Sequence, residues 1–384
     1  MKIGLVLDDT LDTPDGVQQY VLQVGGWLVS QGHDVHYLVG QTVRTDIPNL
    51  HVLSRNLRVR FNGNRMSVPL PVLRHRLKTF LAQEQFDVLH VQVPYSPFMA
   101  GRLIRLAPAQ TAVVGTFHIL PYSRAVTFAN RLLAVLNRGS GKRFDRMLAV
   151  SAPARLFAEQ VYGYRPEVVP NPVRLSQFTG VESSNTGLNI VFLGRLVARK
   201  GARQLLQAVT YMRDHQLFDG SFRVLIGGKG ELMPELATYI ETNGLSDVVT
   251  LLGFIPEEGK AAFLAQADVA VYPSLAGESF GIVLLEGMAA ARGVVLAGNN
   301  PGYASVMQPY PDQLFDPQHV AGFAEKLAWQ LAHPAARARA AEMQREYVQH
   351  FDINVVGQRL TAVYMHALQG RSGTASAPRA DEKP

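Results

Sequence analysis

Short runs rich in Val, Ile and Leu recur along the 384 residues, and most are followed by a longer stretch with helical spacing. In the first half the runs are Ile3–Leu7, Val35–Val39, Val88–Val93, Ala112–Thr116, Met147–Val150 and Glu167–Val169. Helical stretches at Val17–Ser30, Val72–Gln83, Phe98–Leu106, Ala125–Leu136 and Ala152–Tyr162 lie between them. The second half repeats the theme with Asn189–Leu193, Arg223–Ile226, Val248–Leu252, Val269–Tyr272 and Val294–Leu296. Runs that are apolar throughout, rather than alternating, suit strands covered on both faces, which is the setting of a parallel sheet. The chain therefore reads as α/β, with one doubly wound parallel sheet in each half.

The length is enough for two domains that each bury a core. The boundary is expected at Val181–Gly187, where VESSNTG is polar and small, just after the Pro-punctuated VVPNPV (Val168–Val173). This gives domains over 1–180 and 181–350, a terminal helical segment over 351–370, and a tail over 371–384 that is small, polar and expected to be disordered. No window reaches about 18 uninterrupted apolar residues, so no spanning helix is expected. The opening MKIGLVLDD reads as a first strand rather than a signal peptide. With no cysteine there are no disulfides or thiolate metal sites, which is compatible with the cytoplasm.

In open parallel sheets, ligands sit beyond the carboxyl ends of the strands. Residues with chemistry to offer concentrate there, and two such domains are expected to face a common cleft. Arg195 follows the strand NIVFLG, and Lys200 comes five residues later and opens a helix. Two fixed cations at one strand end suit a pyrophosphate leaving group, Arg by bidentate bonding and Lys as a point charge; the bland alternative is a pair of surface cations beside a turn. Gly16 in DGVQQY, and Ser279, Phe280 and Gly281 in GESFG, lie where a loop becomes a helix, where free N–H groups and the helix dipole attract anions. Gly228 in GGKGE lies at a third Gly-rich strand end, either beside a base or ribose or only in a tight turn.

Glu278 and Glu286 stand eight residues apart in AGESFGIVLLEGMAA. A carboxylate on so apolar a helix needs partners. Sugar hydroxyls would serve, with Glu286 accepting from a ribose and Glu278 facing a donor sugar. The pair could instead be the acid and base of a glycosidase, but that leaves Arg195, Lys200 and the glycine loops unexplained. His118 lies just past a strand in VVGTFHIL, either structural or part of the site. The chain has no Asp-x-Asp triplet to hold a divalent cation on a diphosphate, so fixed cations and helix ends are expected to replace a metal. The first strand is not followed by G-x-G-x-x-G, which argues against a dinucleotide oxidoreductase.

Taken together, PDGVQQYVLQVGGWLVSQGHDV, VLRHRLKTFL before FDVLHVQVP, GTFH, VVPNPV, GRLVARKG, IGGKGEL and ADVAVYPSLAGESFGIVLLEGMAA resemble the family-4 retaining glycosyltransferases, above all the bacterial phosphatidylinositol mannosyltransferases. The resemblance covers about residues 1–370. It implies the GT-B fold: two Rossmann-like domains with an inter-domain cleft, the N-terminal one binding acceptor, the C-terminal one binding the nucleotide-sugar, and the 351–370 helix packing back toward the first. It further implies that Gly16, Arg195 and Lys200 hold the donor diphosphate, Glu278 the transferred hexose and Glu286 the ribose. His118 would lie at the reaction centre, and Asp9, Gln18, Asn62, Asn64 and Arg65 would face the acceptor. The implied reaction is transfer of a hexose, mannose from GDP-mannose above others, to a phosphatidylinositol-type lipid. A UDP-sugar donor with a diacylglycerol, polysaccharide or polyol acceptor is the second reading, and a non-catalytic nucleotide-sugar or lipid binder the third. The chain departs from the usual pattern at Ala291 and Gly293, which stand where Gly and Pro are common, and at Ile119, where Thr is frequent.

Charge sharpens the acceptor side. Residues 1–180 hold 20 Lys and Arg against 11 Asp and Glu, and no acid falls between Ile47 and Gln83. Within that stretch Arg74, Arg76 and Lys78 share a helical segment with an apolar stripe of Val72, Leu73, Leu77, Phe80 and Leu81. The segment is read as a peripheral contact with anionic lipid on the inner face of the plasma membrane; the alternative is a domain helix whose stripe packs inward. Nucleic acid is the less favoured anionic partner.

Overall fold

The computed structural model describes residues 1–13, 15–61, 64–92, 94–121, 124–181 and 187–375. Two compact units result: Met1–Pro172 together with Ile353–Pro384, and Val173–Asp352. The division falls ahead of the polar Val181–Gly187 stretch.

The first unit runs β1 (Lys2–Leu7), α1 (Gly16–Ser30), β2 (Asp34–Val39), β3 (Leu50–Val52), β4 (Asn56–Phe61), β5 (Asn64–Pro69), α2 (Arg74–Glu84), β6 (Val88–Val91), α3 (Met99–Leu106) and β7 (Ala112–Phe117). It continues with α4 (Arg124–Leu136), α5 (Arg138–Gly141), β8 (Arg146–Ala149), α6 (Ala152–Tyr162) and β9 (Glu167–Val168). Its seven-stranded sheet has the order β3-β2-β1-β6-β7-β8-β9, and its pairs are parallel. Alternate residues feed two cores. Ile3, Leu5 and Leu7 of β1 join α1 on one face, while Val6 and Leu38 join α2 and α3 on the other. Both faces are covered, which is why the strands read as unbroken apolar runs. The hairpin β4–β5 is an addition to that plan.

The second unit runs β10 (Leu188–Leu193), α7 (Ala202–Asp214), β11 (Phe222–Gly227), α8 (Met233–Thr242), β12 (Val249–Gly253), α9 (Glu257–Leu264), β13 (Val269–Tyr272), α10 (Ile282–Ala290), β14 (Val294–Gly298), α11 (Pro301–Val306), β15 (Leu314–Phe315), α12 (Val320–Ala332) and α13 (Pro334–Tyr347). Its six strands lie in the order β12-β11-β10-β13-β14-β15, again parallel. In both sheets the order reverses beside the first strand of the unit, which creates a crevice at the carboxyl edge. This is the doubly wound architecture expected for each half.

The last helix, α14 (Ile353–Ala375), belongs to the first unit. Val356, Leu360, Val363 and Tyr364 are buried against the α1 side of the sheet, and Trp27 donates its indole N–H to Asn354 at 2.9 Å. The helix runs beyond Gly370, where the small polar tail was expected to begin. Among the described residues no helix is long and apolar enough to cross a membrane.

Candidate active site

In the second unit the cluster forms at the carboxyl ends of β10 and β13. Gly194 continues β10 by donating to Gly227, and the chain then turns through Arg195 into a short 3-10 turn, Ala198–Lys200. The backbone N–H of Leu275 donates to the Arg199 carbonyl at 2.8 Å, which ties this turn to the loop after β13. Gly201 permits that approach: its φ is +77°, and a Cβ there would fall 1.9 Å from the Pro273 carbonyl oxygen. Gly228, with φ +144°, likewise lets the end of β11 close on Gly194, whose carbonyl oxygen a Cβ would meet at 1.8 Å. Gly281 does the same at the start of α10, with φ +109° and the Tyr303 ring in the way of any side chain. The Gly-rich strand ends are thus close approaches of backbone, as well as turns.

Glu278 sits where the loops meet and is 9% exposed. Its Oε1 accepts from Arg199 Nη1 at 2.5 Å and Lys200 Nζ at 2.9 Å, with Ser274 Oγ at 2.7 Å. Burial works against its charge, but Lys200 and Arg199 more than offset that and hold its carboxyl at about 2. Burial also lowers Lys200; Glu278 raises it in return, and the cations of Arg199 and Arg195 leave it below the ordinary lysine value. Arg199 and Lys200 both pair with this one carboxylate, and Arg195 is close enough to act on Lys200, so cations gather in a desolvated place. Such a gathering of cations suits an anionic ligand.

Glu286 lies on α10, 4% exposed, and its Oε1 accepts from Lys260 Nζ at 2.8 Å. Lys260, on α9, also binds Glu257 at 2.9 Å. Burial pushes Glu286 above the usual carboxylate range, and Lys260 only partly reverses it. The Tyr272 hydroxyl is buried nearby with no hydrogen-bond partner. The partner that the helix demanded for Glu286 is thus a lysine on the protein, and only one carboxylate oxygen remains to offer a ligand.

Ser279 follows Glu278, and Phe280 is buried with its ring 5.9 Å from that of Phe351. The Phe280 side chain is core, so only its backbone can serve a ligand.

In the first unit, His118 follows β7 and is half-buried. Its Nε2 lies 2.9 Å from Gln92 Oε1, an acceptor only, so Nε2 carries the proton and Nδ1 the lone pair. Tyr20 meets the ring edge-on, with centroids 4.9 Å apart. Burial pulls the imidazole down to about 3, so His118 is neutral at pH 7. Asp9 and Asp8 follow β1. Asp9 accepts from its neighbour Thr10 N–H at 2.8 Å. Asp8 is buried, accepts from Ala100 N–H at 2.7 Å and from the Ser96 hydroxyl, and is raised by burial to about 6. Gly16 opens α1 and is exposed, and Gln18 on the same helix is buried. Asn62 lies outside the described residues; Asn64 and Arg65 lie on β5.

The basic segment departs from one reading of it. Leu77 and Leu81 are 1% and 2% exposed in the core under α2, and Val72 and Phe80 pack against that core. The stripe is the helix's inner face, because a helix covering a sheet and a helix lying on lipid need the same apolar spacing. Arg74, Arg76 and Lys78 are exposed, as is Leu73. A different helix presents an apolar face to solvent: Phe128, Leu132, Val135 and Leu136 of α4 are 72, 59, 52 and 58% exposed.

Sequence reasoning missed Arg199, Ser274, Lys260 and Tyr272. Arg199 was in view beside Lys200; nothing in the local sequence joins Lys260 to Glu286.

Comparison with known families agrees with this geometry. Residues 14–177 match the model for Glycosyltransferase Family 4, and residues 177–347 match that for Glycosyl transferases group 1. The chain is a glycosyltransferase built of these two family domains. Over 96% of its length and 96% of the relative's it is 29% identical to a phosphatidyl-myo-inositol mannosyltransferase of Propionibacterium freudenreichii subsp. shermanii. It is 26% identical, over 80% of its length and 83% of the relative's, to a GDP-mannose-dependent alpha-(1-6)-phosphatidylinositol monomannoside mannosyltransferase of Mycobacterium tuberculosis. Among solved structures, Anabaena Alr3699/HepE in complex with UDP-glucose superimposes with a TM-score of 0.74 at 17% identity, covering 95% of this chain and 99% of that one. This glycosyltransferase therefore has the GT-B fold.

Proposed function

We propose that this glycosyltransferase moves mannose from GDP-mannose to a phosphatidylinositol-type lipid with retention of anomeric configuration. The observation that carries the reading is the pairing of Arg199 and Lys200 on the buried Glu278 beside Arg195, in a chain alike over nearly its whole length to a named phosphatidylinositol mannosyltransferase. Arg195 and Lys200 take the donor diphosphate, with Gly16 and the backbone N–H groups of Ser279, Phe280 and Gly281 as further donors. A diphosphate would replace Glu278 as the partner of Lys200 and free that carboxylate for the hexose hydroxyls. Glu286 offers its second oxygen to the ribose while Lys260 holds the first, and Gly228 lets two strand ends close together beside the nucleoside. His118, fixed as the Nε2–H tautomer, presents Nδ1 as an acceptor to a sugar hydroxyl. Asp9, Gln18, Asn62, Asn64 and Arg65 are assigned to the acceptor.

Charge accumulates on the leaving diphosphate as the glycosidic bond breaks, so Arg195 and Lys200 act mainly in the transition state. The enzyme works as a peripheral protein on the inner face of the plasma membrane. Arg74, Arg76 and Lys78 supply attraction to anionic lipid, and the apolar face of α4 supplies insertion. The test is transfer of radiolabel from GDP-mannose, against UDP-glucose and UDP-N-acetylglucosamine, to phosphatidylinositol in vesicles. Label in a lipid that mild alkali deacylates to a water-soluble α-mannoside supports the reading; transfer only from a UDP-sugar, or only to water, overturns it. Lys200→Ala should lower transfer by about 10²–10³ with the fold intact.

A further inference from the structure

Away from the strand ends that carry the candidate active site, the first unit holds a compact set of nitrogen and oxygen donors that this reaction does not use. His36 on β2 and His51 on β3 face each other. The parallel register pairs Leu38 with His51, which puts His36, Leu38 and His51 on the sheet face covered by α2. Glu84, the last residue of α2, reaches the same place. The ligand atoms of His36, His51 and Glu84 all lie within 4.8 Å of one another. We infer that His36, His51 and Glu84 form a site for one zinc-class divalent ion, which clamps α2 to the edge of the sheet.

The geometry is that of a site one proton away from a metal. His36 Nδ1 and His51 Nε2 are 2.8 Å apart, and Glu84 Oε2 is 3.8 Å from His36 Nδ1. The ring centroids are 5.1 Å apart with 9° between the planes. With the nitrogens only 2.8 Å apart, those values mean rings edge to edge in nearly one plane, sharing a proton. Nitrogens on a tetrahedral zinc at about 2.0–2.1 Å would stand roughly 3.3 Å apart. The imidazoles must therefore separate by about half an ångström, turn out of line so that both lone pairs converge on the ion, and release the proton between them.

The surroundings favour that exchange. Asp34 Oδ1 accepts from His36 Nε2 at 3.1 Å, so the Nδ1 lone pair is turned toward His51 and Glu84. A carboxylate behind a ligating imidazole is the usual outer support of a metal-bound histidine. Phe86 and Phe80 wall the site, with edge-on contacts at 5.4 Å to His36 and 5.0 Å to His51. Two imidazoles and one carboxylate suit Zn²⁺, Co²⁺ or Ni²⁺ rather than Mg²⁺ or Ca²⁺.

One group opposes the ion. Lys2 Nζ holds Glu84 Oε2 at 2.7 Å and lies 5.6 Å from the centroid of the Phe86 ring. Zinc and the ammonium compete for one carboxylate. That competition supplies a test which a merely structural histidine pair would fail.

The experiment is titration of the full chain, tag-free and treated with chelator, with ZnCl₂ by calorimetry and with CoCl₂ by visible absorption. The expected result is one equivalent bound with micromolar or tighter affinity, a tetrahedral cobalt spectrum, and proton release. His51→Asn and Glu84→Gln should each weaken binding at least tenfold, and Lys2→Met should tighten it severalfold. Zinc should raise the Tm of the wild type but not of His51→Asn. The proposal is overturned if wild-type binding is no tighter than millimolar or if the His51 and Glu84 variants bind like wild type. It is overturned equally if Lys2→Met binds no better, since Glu84 is then no ligand. Circular dichroism confirms that each variant is folded, and Lys2→Met, a change at a half-buried side chain that strengthens rather than removes, keeps the test decisive if the histidine variant misfolds.

Discussion

Lys260 and Glu286 form an ion pair at 2.8 Å between two neighbouring helices, and each residue is under 10% exposed. Removing one partner of a buried pair leaves the other charge without compensation, at a typical cost of about 3–5 kcal/mol. Burial already pushes the Glu286 carboxyl up, and without Lys260 it would rise further and hold a proton. Lys260→Met should therefore destabilise the second unit by about 3 kcal/mol. It should also weaken nucleotide binding, because a protonated carboxyl accepts less well from a ribose. Urea unfolding and calorimetry with GDP measure the two effects. A variant as stable as wild type that binds GDP unchanged would show the pair to be incidental.

Glu278 sets up a sharper contrast. Its carboxyl is held at about 2, so it is ionised throughout the working range and balances one of the cations around it. Glu278→Gln removes that balance while keeping the shape. Lys200 and Arg199 would then hold a diphosphate without internal competition. GDP should bind several-fold tighter to the variant, yet transfer should fall by about two orders of magnitude or more if the carboxylate orients the hexose. Tighter GDP with intact transfer would remove Glu278 from the sugar and leave it only as a stand-in for phosphate.

The doubly wound plan was legible because strands covered on both faces must be apolar throughout, and the runs at Ile3–Leu7 and Asn189–Leu193 show it. The hairpin β4–β5 was not legible in the runs and spacings used for the other strands. Within the site, Arg195, Lys200, Glu278 and Glu286 stood out as charges in apolar or Gly-rich settings. Their partners did not. Lys260 and Glu286 are 26 residues apart in sequence, and only the packing of α9 on α10 joins them. The stripe of α2 illustrates the converse: Leu77 and Leu81 have the spacing of a membrane face, but spacing alone does not say what covers it.

Acid should unfold the first unit early. His90 and His118 are both brought by burial to about 3, against an ordinary value of 6.5. Below 6.5 the unfolded chain takes up protons that the folded chain refuses. Stability is therefore whole above about pH 6.5 and is lost as pH falls toward 3, at up to about 1.4 kcal/mol per pH unit for each histidine. Asp8 works in the other sense. Raised to about 6, it keeps its proton in the folded state and adds stability as pH falls from 6 to 3.8. Two histidines against one aspartate leave a net loss. The urea midpoint should drop steadily between pH 7 and 4.5, and His118→Asn should remove roughly half of the histidine slope. A midpoint flat over that range would mean that neither imidazole is kept neutral by burial.

Membrane attachment should depend on two faces that fail differently. Arg74, Arg76 and Lys78 are exposed, and each cation near an anionic surface contributes about 1 kcal/mol. Replacing all three by Ala should lower partitioning onto vesicles containing phosphatidylinositol by roughly 100-fold, and added salt should mimic the change. Phe128 and Leu132 of α4 are 72% and 59% exposed, so replacing both by Ser costs little folding stability. That variant should bind vesicles less at every salt concentration, because burial of apolar area is not screened. Flotation across a salt series separates the two contributions. If the α4 variant floats like wild type, the attachment is electrostatic alone and the exposed apolar face serves another surface.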